Sequence, residues 1–257
     1  MSNGLLVGLT EAWMPDASKA MIGQKTGLNT GTDAGLSYVA QAGFPGGHAL
    51  QSASTGAFVT TADSPLVEEI GITDFLFIHW WFVSDPGTVS PGVIIGEDST
   101  NGLDVSADVS NNAGDPQEPY GEIPGADGGY SQTLYLGSIP ALAVPHMQAF
   151  WYTTADSTFH LSIDGGVPVT LVNTAGVGNP GDPAGVYFSW SSVVAAAGTA
   201  QMGLASLWQG TAGVANAVSK LASLYASKLK FSDFDTGGSS PVLRPSRLSI
   251  GGGMRLS

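Results

Sequence analysis

Residues 146–166 read HMQAFWYTTADSTFHLSIDGG. An apolar run up to Thr153 meets a short polar turn. A second run then follows, in which Phe159, Leu161 and Ile163 alternate with His160, Ser162 and Asp164. A period of two residues is that of a β-strand with one face turned in and one turned out. The closing Asp164, Gly165 and Gly166 are residue types that accept positive φ, so the segment reads as a hairpin that turns again at its end.

The rest of the chain repeats this grammar. DFLFIHWWFVSD (74–85) is apolar on both faces, with Phe75, Phe77 and Trp81 on one and Leu76, Ile78, Trp80 and Phe82 on the other. That is the pattern of a central strand covered on both sides. GLDVSADVS (102–110) alternates Leu103, Val105, Ala107 and Val109 with Asp104, Ser106 and Asp108, and predicts one buried and one wet face. GLSYVAQ, GAFVTTA, PGVIIGED, TLYLGSI, PVTLVNT, GVYFSWS and AQMGLASLWQG read as further strands. Residues 110–130, rich in Gly, Pro and Asp, read as a long loop. In TAGVANAVSKLASLYASKLKF (211–231), Val214, Val218, Leu221 and Tyr225 predict one helical stripe. Trp80, Trp81, Trp151, Trp190 and Trp208 fall in strand patterns and are expected in the core, and Trp13 is a further candidate.

Composition agrees. The chain has 257 residues, 36 of them Gly and 15 Pro, and only 11% are charged, against roughly 25% in an average soluble domain. The fold class expected is all-β, a two-sheet antiparallel sandwich with one short helix near the C-terminus. Residues 1–231 form the domain, and 232–257 a Gly/Ser/Pro-rich basic tail. The net charge of −13 is uneven: residues 1–219 carry −17 and residues 220–257 carry +4. An acidic body repels nucleic acid and anionic membrane, so neither is an expected partner. Arg244, Arg247 and Arg255 of the tail are candidate assembly contacts to an acidic neighbour, including another copy. A solvated tail is the other reading. There is no cysteine, hence no disulfide and no thiolate chemistry. The opening residues lack the basic and apolar regions of a signal peptide, so synthesis in a cytoplasm without processing is expected.

The order of these signals resembles the concanavalin A-like jelly rolls, in their laminin-G-like branch. GLLVGLTEAWMPD (4–16) resembles the opening strand, and GFPGGHALQSASTGAFVTTADSPLV (43–67) the strand and turn after it. DFLFIHWWFVSD is similar to the strand with an aromatic, hydrophobic and Trp pattern. The hairpin 146–166 is similar to the strand–turn–strand ending Asp-Gly, and MGLASLWQGTAGVANAVSKLASLY (202–225) to the late strand and helix. Pro145 stands where the family often has Trp.

The resemblance implies a non-enzymatic structural or adhesion protein of a virus particle, a bacteriophage decoration, fibre or tail-associated module. Its partners would be other virion proteins, copies of itself and cell-surface glycans, and its location the virion. The alternative is a carbohydrate-binding module, Ca²⁺-dependent in one version, using the acidic segment 97–127. That segment holds eight acids without one Lys or Arg, and such oxygen ligands suit Ca²⁺. The candidate glycan-binding residues are Asp104, Asp108, Tyr120 and Tyr130. The candidate metal ligands are Asp98, Asp104 and Asp108. A solvated acidic loop is the structural alternative.

Catalytic sets are sparse. Glycanases of this fold family carry Glu-x-Asp-x-x-Glu on one strand, and that pattern is absent. Asp104 and Asp108 share a strand face but lie about 13 Å apart, beyond the span either glycosidase mechanism uses. Gly-x-Ser-x-Gly and phosphate-loop motifs are absent. No catalytic residue is assigned. His79, in the doubly apolar strand, is expected as a hydrogen-bonded core residue, and His146 and His160 as a pair across the hairpin.

Overall fold

The computed structural model describes residues 5–52, 56–62, 73–85, 90–96, 102–107, 111–112, 115–116, 118–123, 132–174, 176–177, 185–191 and 199–228. In chain order the strands are β1 (Leu9–Pro15), β2 (Met21–Gly23), β3 (Ser37–Ala40), β4 (His48–Ser52), β5 (Ala57–Thr60), β6 (Phe75–Val83), β7 (Ser90–Gly96) and β8 (Gly102–Ser106). They continue as β9 (Asn111–Asn112), β10 (Asp115–Pro116), β11 (Tyr120–Ile123), β12 (Gln132–Tyr135), β13 (His146–Thr153) and β14 (Thr158–Ile163). The last are β15 (Val169–Val172), β16 (Gly185–Ser191) and β17 (Ala200–Gln209), followed by helices α1 (Thr211–Val214) and α2 (Ala217–Ser227).

The strands form a β-sandwich. Among the described residues one sheet has nine strands, ordered β15-β14-β13-β6-β17-β1-β2, with β4 pairing β17 and β3 pairing β4. The other has six, ordered β12-β11-β8-β7-β16-β5, and β9 and β10 pair separately. All the pairings are antiparallel, with Trp151 opposite His160 in the hairpin and Phe150 opposite Phe77 on β6. The hairpin 146–166 therefore lies inside the large sheet. Its closing turn has the geometry read from the sequence, with φ of +56° at Asp164 and +69° at Gly165.

The two faces of β6 sort as the sequence implied. Phe75, Phe77, Trp81 and Val83 join the core between the sheets, with Phe150, Phe159, Leu161, Phe188 and Trp190. Leu76, Ile78 and Trp80 join a second core on the far side of the nine-stranded sheet, with Trp151, Trp208, Val214, Leu221 and Leu224. Helices α1 and α2 cover that side. Trp13, Trp80, Trp81, Trp190 and Trp208 are all buried.

One polar network crosses the inter-sheet core. His79 on β6 is fully buried, and its Nε2 lies 3.2 Å from Gln148 Oε1 on β13. The Gln148 amide donates to the backbone carbonyls of Ser106 at 3.0 Å and Tyr120 at 2.9 Å on the opposite sheet. An amide nitrogen that donates twice leaves its oxygen facing His79, so the histidine donates from Nε2. Burial lowers the His79 pKa to about 4, against the pull of the Gln148 bond, so the ring is neutral at pH 7.

Four readings are corrected. Residues 110–130 are not one loop: β9, β10 and β11 lie within it, and Gly121 is there because a side chain at that point would overlap the Phe150 ring. Tyr120-Gly121-Glu122-Ile123 is an alternating strand masked by its Gly/Pro neighbours. The wet faces are partly closed. Ser106 is buried beside Gly92, and Ser162 is buried with its Oγ donating to Gly166 O at 2.8 Å. The helical stripe breaks at Asn216, whose φ is +54°. The break rotates the register, so Ala217, Lys220, Leu221 and Leu224 face inward while Val218 is 49% exposed. His146 and His160 do not pair. His146 Nδ1 lies 2.8 Å from Asp164 Oδ2 and its Nε2 2.6 Å from the Ala141 carbonyl. His160 instead stacks on Trp151 at 4.7 Å and 6°.

Candidate functional site

The outer face of the six-stranded sheet is built by strand alternation. Leu103, Val105, Ile123 and Leu134 point into the core, so Asp104, Tyr120, Glu122, Thr133 and Tyr135 point away from it. The register then lines residues up across the strands. One row runs Tyr135, Tyr120, Ser106, Gly92, Ser189 and Phe58. The next runs Thr133, Glu122, Asp104, Ile94, Tyr187 and Thr60. Aromatic side chains stand at both ends of the first row, with Tyr135 52% and Phe58 53% exposed. Small residues fill its middle.

Tyr120 donates its hydroxyl to Asp104 Oδ2 at 2.9 Å, and Thr133 donates to Glu122 Oε2 at 3.1 Å. The Tyr120 and Tyr135 rings lie 5.9 Å apart at 54°. Glu122 keeps further lone pairs. The surface thus offers rings for stacking and oriented oxygens for accepting hydroxyl protons, the groups that a sugar ring needs.

Of the four candidate glycan residues, the structure brings Asp104 and Tyr120 into direct contact. Asp108 and Tyr130 lie outside the described residues, as do Asp98, Arg244, Arg247 and Arg255. Among the described residues no three His, Asp or Glu side chains converge as a cation site. Sequence reasoning missed Tyr135, Glu122 and Phe58. The alternation within TLYLGSI and GAFVTTA was the available signal, since it turns Tyr135 and Phe58 outward. It also missed the Asp104–Glu122 pair, because the search for paired carboxylates ran along single strands. Directly opposed residues on antiparallel strands have Cβ atoms about 5 Å apart.

No protein-family model and no curated protein matches the chain. Solved structures do. The binding domain of Paraclostridial Mosquitocidal Protein 1 superposes with a TM-score of 0.64 at 10% identity, over 86% of this chain and 52% of that one. The botulinum neurotoxin serotype G binding domain gives 0.61 at 9%, over 86% and 51%. The receptor binding domain of botulinum neurotoxin D gives 0.59 at 9%, over 89% and 54%. The likeness is one of fold, and this chain spans about half the length of the structures it matches.

Proposed function

We propose that this chain is a non-enzymatic adhesion module of a virus particle, which holds a cell-surface glycan on the outer face of its six-stranded sheet. The observation that carries the reading is the pair of rows across that sheet, where Tyr135 and Tyr120 stand beside the Asp104 and Glu122 carboxylates. Carboxylates that accept hydroxyl protons and rings that stack suit a neutral sugar, and a chain of net charge −13 disfavours an anionic one. The sandwich it shares with domains named for binding adds support. Residues 232–257, through Arg244, Arg247 and Arg255, would fasten the module to an acidic neighbour in the particle, another copy included. Exposed ion pairs are weak singly, so several must act together.

A glycan screen of the intact chain, with Tyr135→Ala alongside, tests the ligand face. A neutral glycan that binds the native chain and not the variant supports it. Equal binding by both moves the site elsewhere. Sensitivity of that binding to a chelator tests the Ca²⁺ ligands expected at Asp98, Asp104 and Asp108. Co-migration with a large particle at fixed stoichiometry tests the virion placement, which a free monomer would overturn.

Asp104 and Glu122 stand opposite each other on β8 and β11, and the second reading, glycan hydrolysis, would need their carboxyls about 5 Å apart for a retaining mechanism. Release of reducing ends that Glu122→Gln abolishes would replace the binding reading with that one.

A further inference from the structure

The opposite outer face, where the hairpin meets the helices, contains a groove of ≈ 650 Å³. Its floor is the hairpin, with the stacked Trp151 and His160, Thr153 at the end of β13 and the turn residue Asp156. One wall is Thr170 of β15 and Pro168 before it. The other is the break between α1 and α2, with Val214, Asn216, Val218 and Ser219.

Three features mark it as more than a crease between elements. First, Asn216 occupies the residue before α2, where Asn ordinarily caps the helix, yet its side chain makes no capping bond. Its side chain is exposed at the groove, where a ligand or water can meet the amide. Second, Val218 lines the groove with its side chain 49% exposed, beside Val214, Ala217 and Ala222, so the groove offers an apolar wall next to its polar groups. Third, the polar groups form an ordered chain: His160 Nε2 lies 3.5 Å from Thr153 Oγ1, which donates to Asp156 Oδ1.

Six of the twelve residues lining the groove are polar, although most of its exposed lining is apolar, so it fits a ligand with both polar and apolar faces. No Lys or Arg lines it, and Asp156 contributes a carboxylate, which disfavours an anion. A carboxylate, an exposed amide, several hydroxyls and an apolar wall together fit a ring that carries many hydroxyls and has one apolar face.

We propose that the groove between the hairpin and the α1–α2 break is a binding site for a small neutral saccharide, separate from the glycan surface on the six-stranded sheet. Asp156 and the Asn216 amide take its hydroxyls, and Val218 and Val214 cover its apolar face. The volume lies in the range of small-molecule sites, about 300–1,000 Å³. The site does not rest on the adhesion reading, since the two faces share no residue.

The test titrates the full-length chain with free neutral hexoses, pentoses and N-acetylhexosamines. The Trp151 indole N–H and the His160 ring protons are followed by NMR, with glucuronic acid and argininamide as comparators. The expected result is a saturable shift of both signals with a neutral sugar. Asp156→Asn and Asn216→Ala should each weaken binding at least tenfold. Val218→Glu, at an exposed position that leaves folding intact, should abolish it, and Tyr135→Ala should not change it. The proposal is overturned if no neutral sugar moves either signal, if the three groove variants bind as the native chain does, or if only glucuronic acid or argininamide binds. Loss in Tyr135→Ala alone would return the ligand to the other face.

Discussion

The two outer faces of this sandwich solve opposite problems. On the nine-stranded sheet the outward residues of β6 are Leu76, Ile78 and Trp80, and α1 and α2 bury them. On the six-stranded sheet the outward residues of β8 and β11 are Asp104, Tyr120 and Glu122, which are only partly buried. Both sheets send their other face into the same inter-sheet core. The difference lies in the alternate positions of a few strands, and it separates a face closed by helices from one on which Tyr135 and Phe58 stay exposed.

Removing an apolar anchor from the covered face should have the largest effect. Trp80 is 2% exposed, stacks on Tyr225 at 5.7 Å and meets Phe44 edge-on at 6.3 Å. Trp80→Ala should lower unfolding free energy by about 3–5 kcal/mol in denaturant titrations. A loss under 1 kcal/mol would show that the helices are only draped over the sheet.

The buried network gives a pH effect of the next size. The His79 pKa is about 4 in the folded protein against about 6.5 in an unfolded chain. The unfolded state therefore binds the proton first as pH falls from 6.5 to 4, and stability declines across that window by about 3 kcal/mol. Replacing His79 by Gln should flatten the curve there.

His146 acts with the opposite sign. Burial disfavours its charge, but the Asp164 and Ala141 hydrogen bonds and the Asp164 charge prevail, and its pKa is raised. Acceptors on both ring nitrogens favour the doubly protonated ring. Its contribution is full below the unfolded value and is lost as pH rises through the raised one. Asp164→Asn keeps a residue type that tolerates the positive φ and removes the charge. It should cost about 2 kcal/mol at pH 5 and less at pH 9. Equal costs at both pH values would remove the ion pair from the account.

The smallest expected effect sharpens the contrast most. Tyr135→Ala, at a side chain 52% exposed on the open face, should change stability by no more than about 0.5 kcal/mol. Its binding defect, if found, would then be a defect of surface and not of folding. A loss comparable to that of Trp80→Ala would mean that the open face is structural as well.

Legibility followed the strength of the pattern. The doubly apolar β6, the alternating β14 and the Asp164–Gly165 turn stood out because burial and positive φ each restrict which residues fit. Strand β11 did not, since two outward polar residues between Pro-rich neighbours look like a loop until Gly121 is seen against Phe150. The candidate site was half legible. Tyr120 and Asp104 were singled out, while Tyr135 and Glu122 were not, because their nearness is a matter of cross-strand register.

Alone, the sequence determined the fold class, most strands of the core and the cover on both sides of β6, because period and burial are local properties of a chain. The tertiary structure decided which strands lie side by side, and with them the Asp104–Glu122 pair, the His146–Asp164 contact and the groove at Asn216. Those depend on register and on where a helix breaks, both set by packing between segments far apart in the chain.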